Sequence, residues 1–135
     1  MTRATLLDIL RLGTITGMRS MAGPAALSLR TSGRYKHVIP LLAVGEMMAD
    51  KTSLVGDRID PLPLGGRVVM GALVGGIVSR DHGGSTIAGG LIGAMTAVLA
   101  AHLAYRIRTR LPVSTTVGGL MEDALVVGLV SAPAR

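Results

Sequence analysis

"GSTIAGGLIGAMTAVLAAHLAY", residues 84–105, contains no Asp, Glu, Lys or Arg. The uncharged run extends from Asp81 to Arg106, enough for an α-helix to cross a hydrocarbon core about 30 Å thick. Arginines at 106, 108 and 110 then stop it. An apolar run of this length with a charged flank predicts a membrane span.

Immediately before it, "RVVMGALVGGIVSR" (67–80) holds twelve uncharged residues and is lengthened on its N-terminal side by "PLPLGG". The link "RDHGGS" is a turn by composition. Residues 64–108 are therefore expected to form an antiparallel helical hairpin. Its halves resemble each other in "GALVGG" (71–76) and "GGLIGA" (89–94). Gly71, Gly75 and Ser79 recur every fourth residue, as do Gly89, Gly93, Ala97 and Ala101. At helical spacing each series lays a smooth strip along one face, and such strips let helices in lipid approach closely.

Composition agrees with a membrane setting. Charged residues make up 16 % of the chain, against roughly 25 % in ordinary soluble domains. Hydrophobic residues make up 49 %, and 19 of the 135 residues are glycine. Two tyrosines are the only aromatics, so a core built on large rings is excluded. Cysteine is absent, which removes disulfides and thiolate metal sites. The formal charge of +6 is spread singly or in short clusters at the ends of apolar segments. That distribution fits charges flanking spans, and no nucleic-acid partner is expected.

Upstream, residues 4–29 read as one helical segment with a polar stripe. Asp8, Arg11, Ile15 and Arg19 fall on one side, and Leu6, Leu10, Gly13, Gly17 and Met21 on the other. Asp8 and Arg11 interrupt what a signal peptide would need as its apolar region, so this segment is expected in the mature protein. Gly23-Pro24 should kink or end it. "HVIPLLAVGEMMAD" (37–50) carries Pro40, Glu46 and Asp50 and reads as a half-span, a re-entrant piece or a tilted span. Residues 50–63 form the longest expected loop. Residues 117–134 are apolar apart from Glu122 and Asp123. The expected fold is all-α: a single membrane domain over 1–135, a polytopic integral membrane bundle of four to five hydrophobic segments with Gly-rich packing faces. With five spans, Arg3, Lys51, Arg58, Arg67 and the arginines at 106, 108 and 110 share one side, against Arg30, Arg34, Lys36, Arg80 and Arg135. That weak bias favours a cytoplasmic N-terminus.

Ionisable groups within spans cost about 2.5–3.5 kcal/mol each on insertion scales, so they are expected to pair across helices. Arg19 is expected to meet Glu122 or Asp123, with Glu46 as the alternative. Arg19, Glu46, Asp50, Glu122 and Asp123 form the candidate charge cluster, for binding or for a pathway. Gly71, Gly75, Gly89, Gly93 and Ala97 are the candidate packing residues. The charges are also explained by a register pin between helices or by a first helix lying in the interface plane. His102, beside Tyr105, reads as an interface residue before a proton relay. His37 and His82 show no metal-ligand spacing. No phosphate loop or nucleophile elbow is present, so no catalytic residue, metal or cofactor is expected, and an enzyme is the least favoured class.

The ordered motifs "GMRSMAGPA", "GEMMADK", "DRIDPLPLGGRVVMGALVGG", "GGLIGA", "AHLAYRIR" and "MEDALVVG" resemble the small bacterial membrane proteins grouped as domain-of-unknown-function family 4126. The matching positions are Gly17, Arg19 and Ser20; Glu46, Asp50 and Lys51; Pro61, Arg67, Gly71 and Ala72; and Glu122 with Asp123. The resemblance spans nearly the whole chain. It implies an integral, mainly helical protein of the bacterial inner membrane, and it implies no activity.

Two functions are expected from these features. One is a small channel or transporter for an ion or small solute, with Arg19 attracting an anion and the carboxylates balancing it or carrying protons. The other is a structural or accessory membrane protein whose charged and Gly-rich faces serve helix packing and partner assembly. The lipid bilayer is the expected surrounding, and a homo-oligomer the expected assembly.

Overall fold

A computed structural model describes residues 1–30, 39, 61–110 and 115–131. Within them the chain is helical, with no strand: α1 (Arg3–Met18), α2 (Ala22–Leu29), α3 (Pro61–Asp81), α4 (Thr86–Arg110) and α5 (Thr115–Ser131). The segment 37–50, apart from Ile39, and residues 50–60 of the expected loop lie outside the described residues, and Glu46 and Asp50 with them; the rest of that loop, residues 61–63, is helical instead and opens α3.

The α3–α4 hairpin is the centre of the bundle. Its turn is closed by a left-handed glycine, Gly83 at φ 70°. Gly84 N–H donates to Ser79 O (2.8 Å) and Gly83 N–H to Arg80 O (2.9 Å), satisfying carbonyls that α3 would otherwise leave open. Ser85 then caps α4, accepting from Ala88 N–H at 3.3 Å. Ser79 Oγ donates to Ser85 O at 2.8 Å and ties the two helix ends together.

Along the hairpin the two small-residue series meet each other. A methyl group built on Gly71 would lie 2.7 Å from Gly93 O and 2.8 Å from Ala97 Cβ. One built on Gly75 would collide with Gly89 O, and one on Gly93 with Gly71 O. The backbones are therefore too close for any side chain at these positions. The other flank of the α4 series receives α1: Gly13 faces Thr96, and Gly17 faces Ala97 O and Ala100 Cβ. Residue numbers rise together along this contact, so α1 runs parallel to α4, whereas α3 runs against it. Ile9, Leu12 and Ile15 of α1, Val74 and Val78 of α3 and Val126 of α5 fill the core.

α1 does not continue through Gly23-Pro24 with a kink there; the break falls earlier, at Arg19–Met21. The reason lies in proline geometry. A proline inside a helix removes the hydrogen bond to the carbonyl four residues back and its ring clashes with that carbonyl. For Pro24 this carbonyl is that of Ser20, so the helix stops ahead of it. Pro24 becomes the third residue of α2, where its missing N–H is no loss. α2 then folds back along α1, with Gly23 seated on Thr16.

The reversal changes the distribution of charge. Because α1 is parallel to α4, Arg3 lies at the same end of the bundle as Arg80, opposite Arg106, Arg108 and Arg110. The five-span arrangement, which groups Arg3 with those three, does not hold. Its premise was that residues 4–29 cross in one direction.

Polar groups accompany the apolar core, and large apolar side chains stand outside it. Thr5, Thr16, Arg19, Arg67, Ser79 and Glu122 are buried. Ile87, Leu91, Met95, Leu99, Leu103 and Ile107, every fourth residue of α4, are 50–77 % exposed. Among the described residues α4 is the one helix long and apolar enough to cross a membrane. α1 and α5, with 16 and 17 residues, reach only about 24–26 Å at 1.5 Å per residue.

Candidate functional site

The helix break presents Arg19. It is the C-cap of α1, with extended backbone (φ −142°, ψ 116°), its N–H still donating to Ile15 O at 2.9 Å. Its carbonyl accepts from Ala22 N–H at 3.0 Å, which fixes the entry into α2. The guanidinium crosses to α5, where Nε donates to Asp123 Oδ1 at 3.0 Å and Nη2 to the same oxygen at 2.6 Å. Arg19 is 2 % exposed and Asp123 15 %. Asp123 stands at the midpoint of α5, and Glu122 beside it is also buried. The cation also sits at the negative end of the α1 dipole, which adds to the attraction.

A second guanidinium holds the far end of α5. Arg11 donates through Nε (2.9 Å) and Nη2 to Leu129 O. Leu129 lies in the last turn of α5, whose carbonyls have no intrahelical donor. Arg11 thus acts as a cap supplied by another helix. Numbers fall along α5 (129, then 123) as they rise along α1 (11, then 19), so these helices are antiparallel. Asp8 takes no part in the Arg19 cluster. It pairs with Arg30 of the returning α2, at 2.7 and 2.9 Å.

Arg67 is the residue that the sequence reading places elsewhere, as a flanking charge. In the structure α3 begins six residues earlier, and Arg67 is 4 % exposed. The signal was present in the spacing: Arg67, Gly71, Gly75 and Ser79 are four residues apart and share the face turned to α4. Gly71 meets Ala97, and so does Gly17 of α1. Arg67, one turn beyond Gly71, lies at the level of the α1 break. Buried Arg19 and Arg67 therefore stand at a similar height along the bundle, and Arg19 there meets Asp123.

Of the residues expected in the charge cluster, Arg19 and Asp123 are in contact and Glu122 adjoins them; Glu46 and Asp50 lie outside the described residues. Gly71, Gly75, Gly89, Gly93 and Ala97 lie in the α3–α4 contact. His102 is exposed. Among the described residues no group of three or more His, Cys, Asp or Glu is placed to hold a metal ion.

The site is thus an ion-pair cluster at a helix break. No family model, curated protein or solved structure matches the chain.

Proposed function

We propose that this chain is a small polytopic protein of the bacterial inner membrane that passes a small anion along its buried charge cluster. One observation carries the reading: the α1–α2 hairpin reverses inside the bundle and puts Arg19, paired with Asp123, at its tip. Interrupted helices in lipid are tolerated where they line a site, and their ends supply charge to it. An incoming anion exchanges for the Asp123 carboxylate on Arg19, and the released carboxylate takes up a proton or a second cation. Arg67 adds positive charge at the same level. The exposed apolar face of α4 supports the membrane setting, with α3, α4 and the α1–α2 hairpin as the inserted elements and α5 completing them. Membership of family 4126, on the motif order above, belongs to the same proposal. So small a bundle leaves little room for an enclosed path, and a homodimer is the assembly that supplies one.

The competing reading is a structural or accessory protein. Arg11 on Leu129 O favours it, because that contact fixes the register of α5 and nothing more. Flux from proteoliposomes separates the two. Halide or proton flux in the wild type, lost in Arg19→Gln and Asp123→Asn variants that elute like wild type, supports a pathway. Absence of flux for protons, alkali cations and halides favours the structural role.

A further inference from the structure

An apolar groove of about 400 Å³ lies on the outer flank of the hairpin, away from the charge cluster. Val69, Ala72, Leu73, Gly76 and Ile77 line it, and Thr86 of α4 closes one side. Its floor is low because Ala72 and Gly76 stand one helical turn apart; its rims are branched aliphatic side chains. At one end stands Arg80. Among the described residues the Arg80 guanidinium makes no hydrogen bond or ion pair with the protein. The opposite end is reached at Val68, twelve residues earlier on α3.

Twelve residues of helix rise about 18 Å. One leaflet of a hydrocarbon core about 30 Å thick measures about 15 Å. Arg80 is the penultimate residue of α3 and precedes the apolar run of α4, so it lies where the interface falls. The groove therefore has the length of a single acyl chain, an apolar wall, and a cation at headgroup depth. A guanidinium binds a lipid phosphate through paired N–H donors, and the attraction is greatest where no choline cation in the headgroup offsets the phosphate charge. A packed partner helix would instead leave Arg80 over apolar surface without a counter-charge.

The geometry points to a binding site for one anionic glycerophospholipid, its acyl chain along Val69–Ile77 and its phosphate on Arg80. This rests on the membrane reading above, though not on transport. The site is separate from Arg19 and Asp123.

Native mass spectrometry of the full chain, released from detergent with dioleoyl phosphatidylglycerol or dioleoyl phosphatidylcholine, tests it. Wild type is expected to retain one phosphatidylglycerol at least fivefold more than phosphatidylcholine. Arg80→Gln is expected to bring that ratio to near one, and Ala72→Leu, which fills the floor, to reduce retention of both lipids. Arg106→Gln, at the other end of the bundle, is expected to keep the wild-type ratio. Equal retention by wild type, an unchanged ratio in Arg80→Gln, or an equal loss in Arg106→Gln overturns the site. So does a dimer that Ala72→Leu splits without any change in lipid retention. Carbonate washing of membranes keeps the two readings apart: a protein released by carbonate ends the membrane reading itself. One that stays behind without lipid selectivity ends only this site.

Discussion

Arg30 Nη1 donates to both carboxylate oxygens of Asp8, at 2.9 and 2.7 Å, and so fastens the end of α2 to the start of α1. The pair is partly exposed, at 32 % and 19 %. Partly solvated pairs of this kind contribute about 0.2–1 kcal/mol. Asp8→Asn and Arg30→Gln are each expected to lower detergent-solubilised stability by no more than about 1 kcal/mol. Thermal melts of the two variants and the double variant check this. A larger loss would mean that the hairpin depends on this contact rather than on Gly23 against Thr16.

The Arg19–Asp123 pair should behave differently because its guanidinium is 2 % exposed, against 32 % for that of Arg30. Removing one partner leaves the other charge without it in a low-dielectric interior, at a cost of about 3–5 kcal/mol. Arg19→Gln and Asp123→Asn are each expected to destabilise by that order. The double variant should cost clearly less than their sum, with a coupling of about 1–3 kcal/mol. Additive losses in a double-mutant cycle would rule out the direct pair.

Glycine positions divide into two groups. Gly75→Ala would drive a methyl into Gly89 O, and overpacking of this kind costs about 1–3 kcal/mol. Gly128, inside α5, has nothing within 4 Å of the same added atom. Gly128→Ala is expected to be neutral or to stabilise by about 0.5–1 kcal/mol through helix propensity. Gly75→Ala should therefore lower the melting temperature and Gly128→Ala should not, and an unchanged melting temperature in Gly75→Ala would refute the close α3–α4 approach.

The direction of α1 makes a labelling prediction. The chain has no cysteine, so single cysteines report cleanly. In vesicles of one orientation, Thr2→Cys and His82→Cys should react with an impermeant maleimide from the same side, and Thr109→Cys from the other. Thr2→Cys and Thr109→Cys reacting together would restore a one-way crossing of residues 4–29.

The hairpin was legible because fourfold spacing of small residues is a local pattern, and helix packing reads it directly. The position of the helix break was not. Pro24 is visible in the sequence, but its steric effect falls four residues upstream, so the break appears at Arg19–Met21 and not at Gly23-Pro24. Whether Glu122 or Asp123 would take Arg19 was undecidable for a related reason. Neighbouring helical residues point about 100° apart, and only the docking of α5 on α1 selects between them. Arg67 was hidden by its company: next to "PLPLGG" it reads as the edge of an apolar run. Its fourfold register with Gly71, Gly75 and Ser79 shows otherwise.

Arg19 and Asp123 are separated by 104 residues in the chain. Ribosomes add roughly 5–20 residues each second, so the cation of this pair is made several seconds before its anion. During that interval the first hairpin has to hold Arg19 without Asp123, a state that a low-dielectric interior penalises. Only when α5 emerges can Asp123 meet the tip of that hairpin. A chain interrupted before α5 would carry this arginine without the Asp123 carboxylate, so this pair is completed only by the last helix.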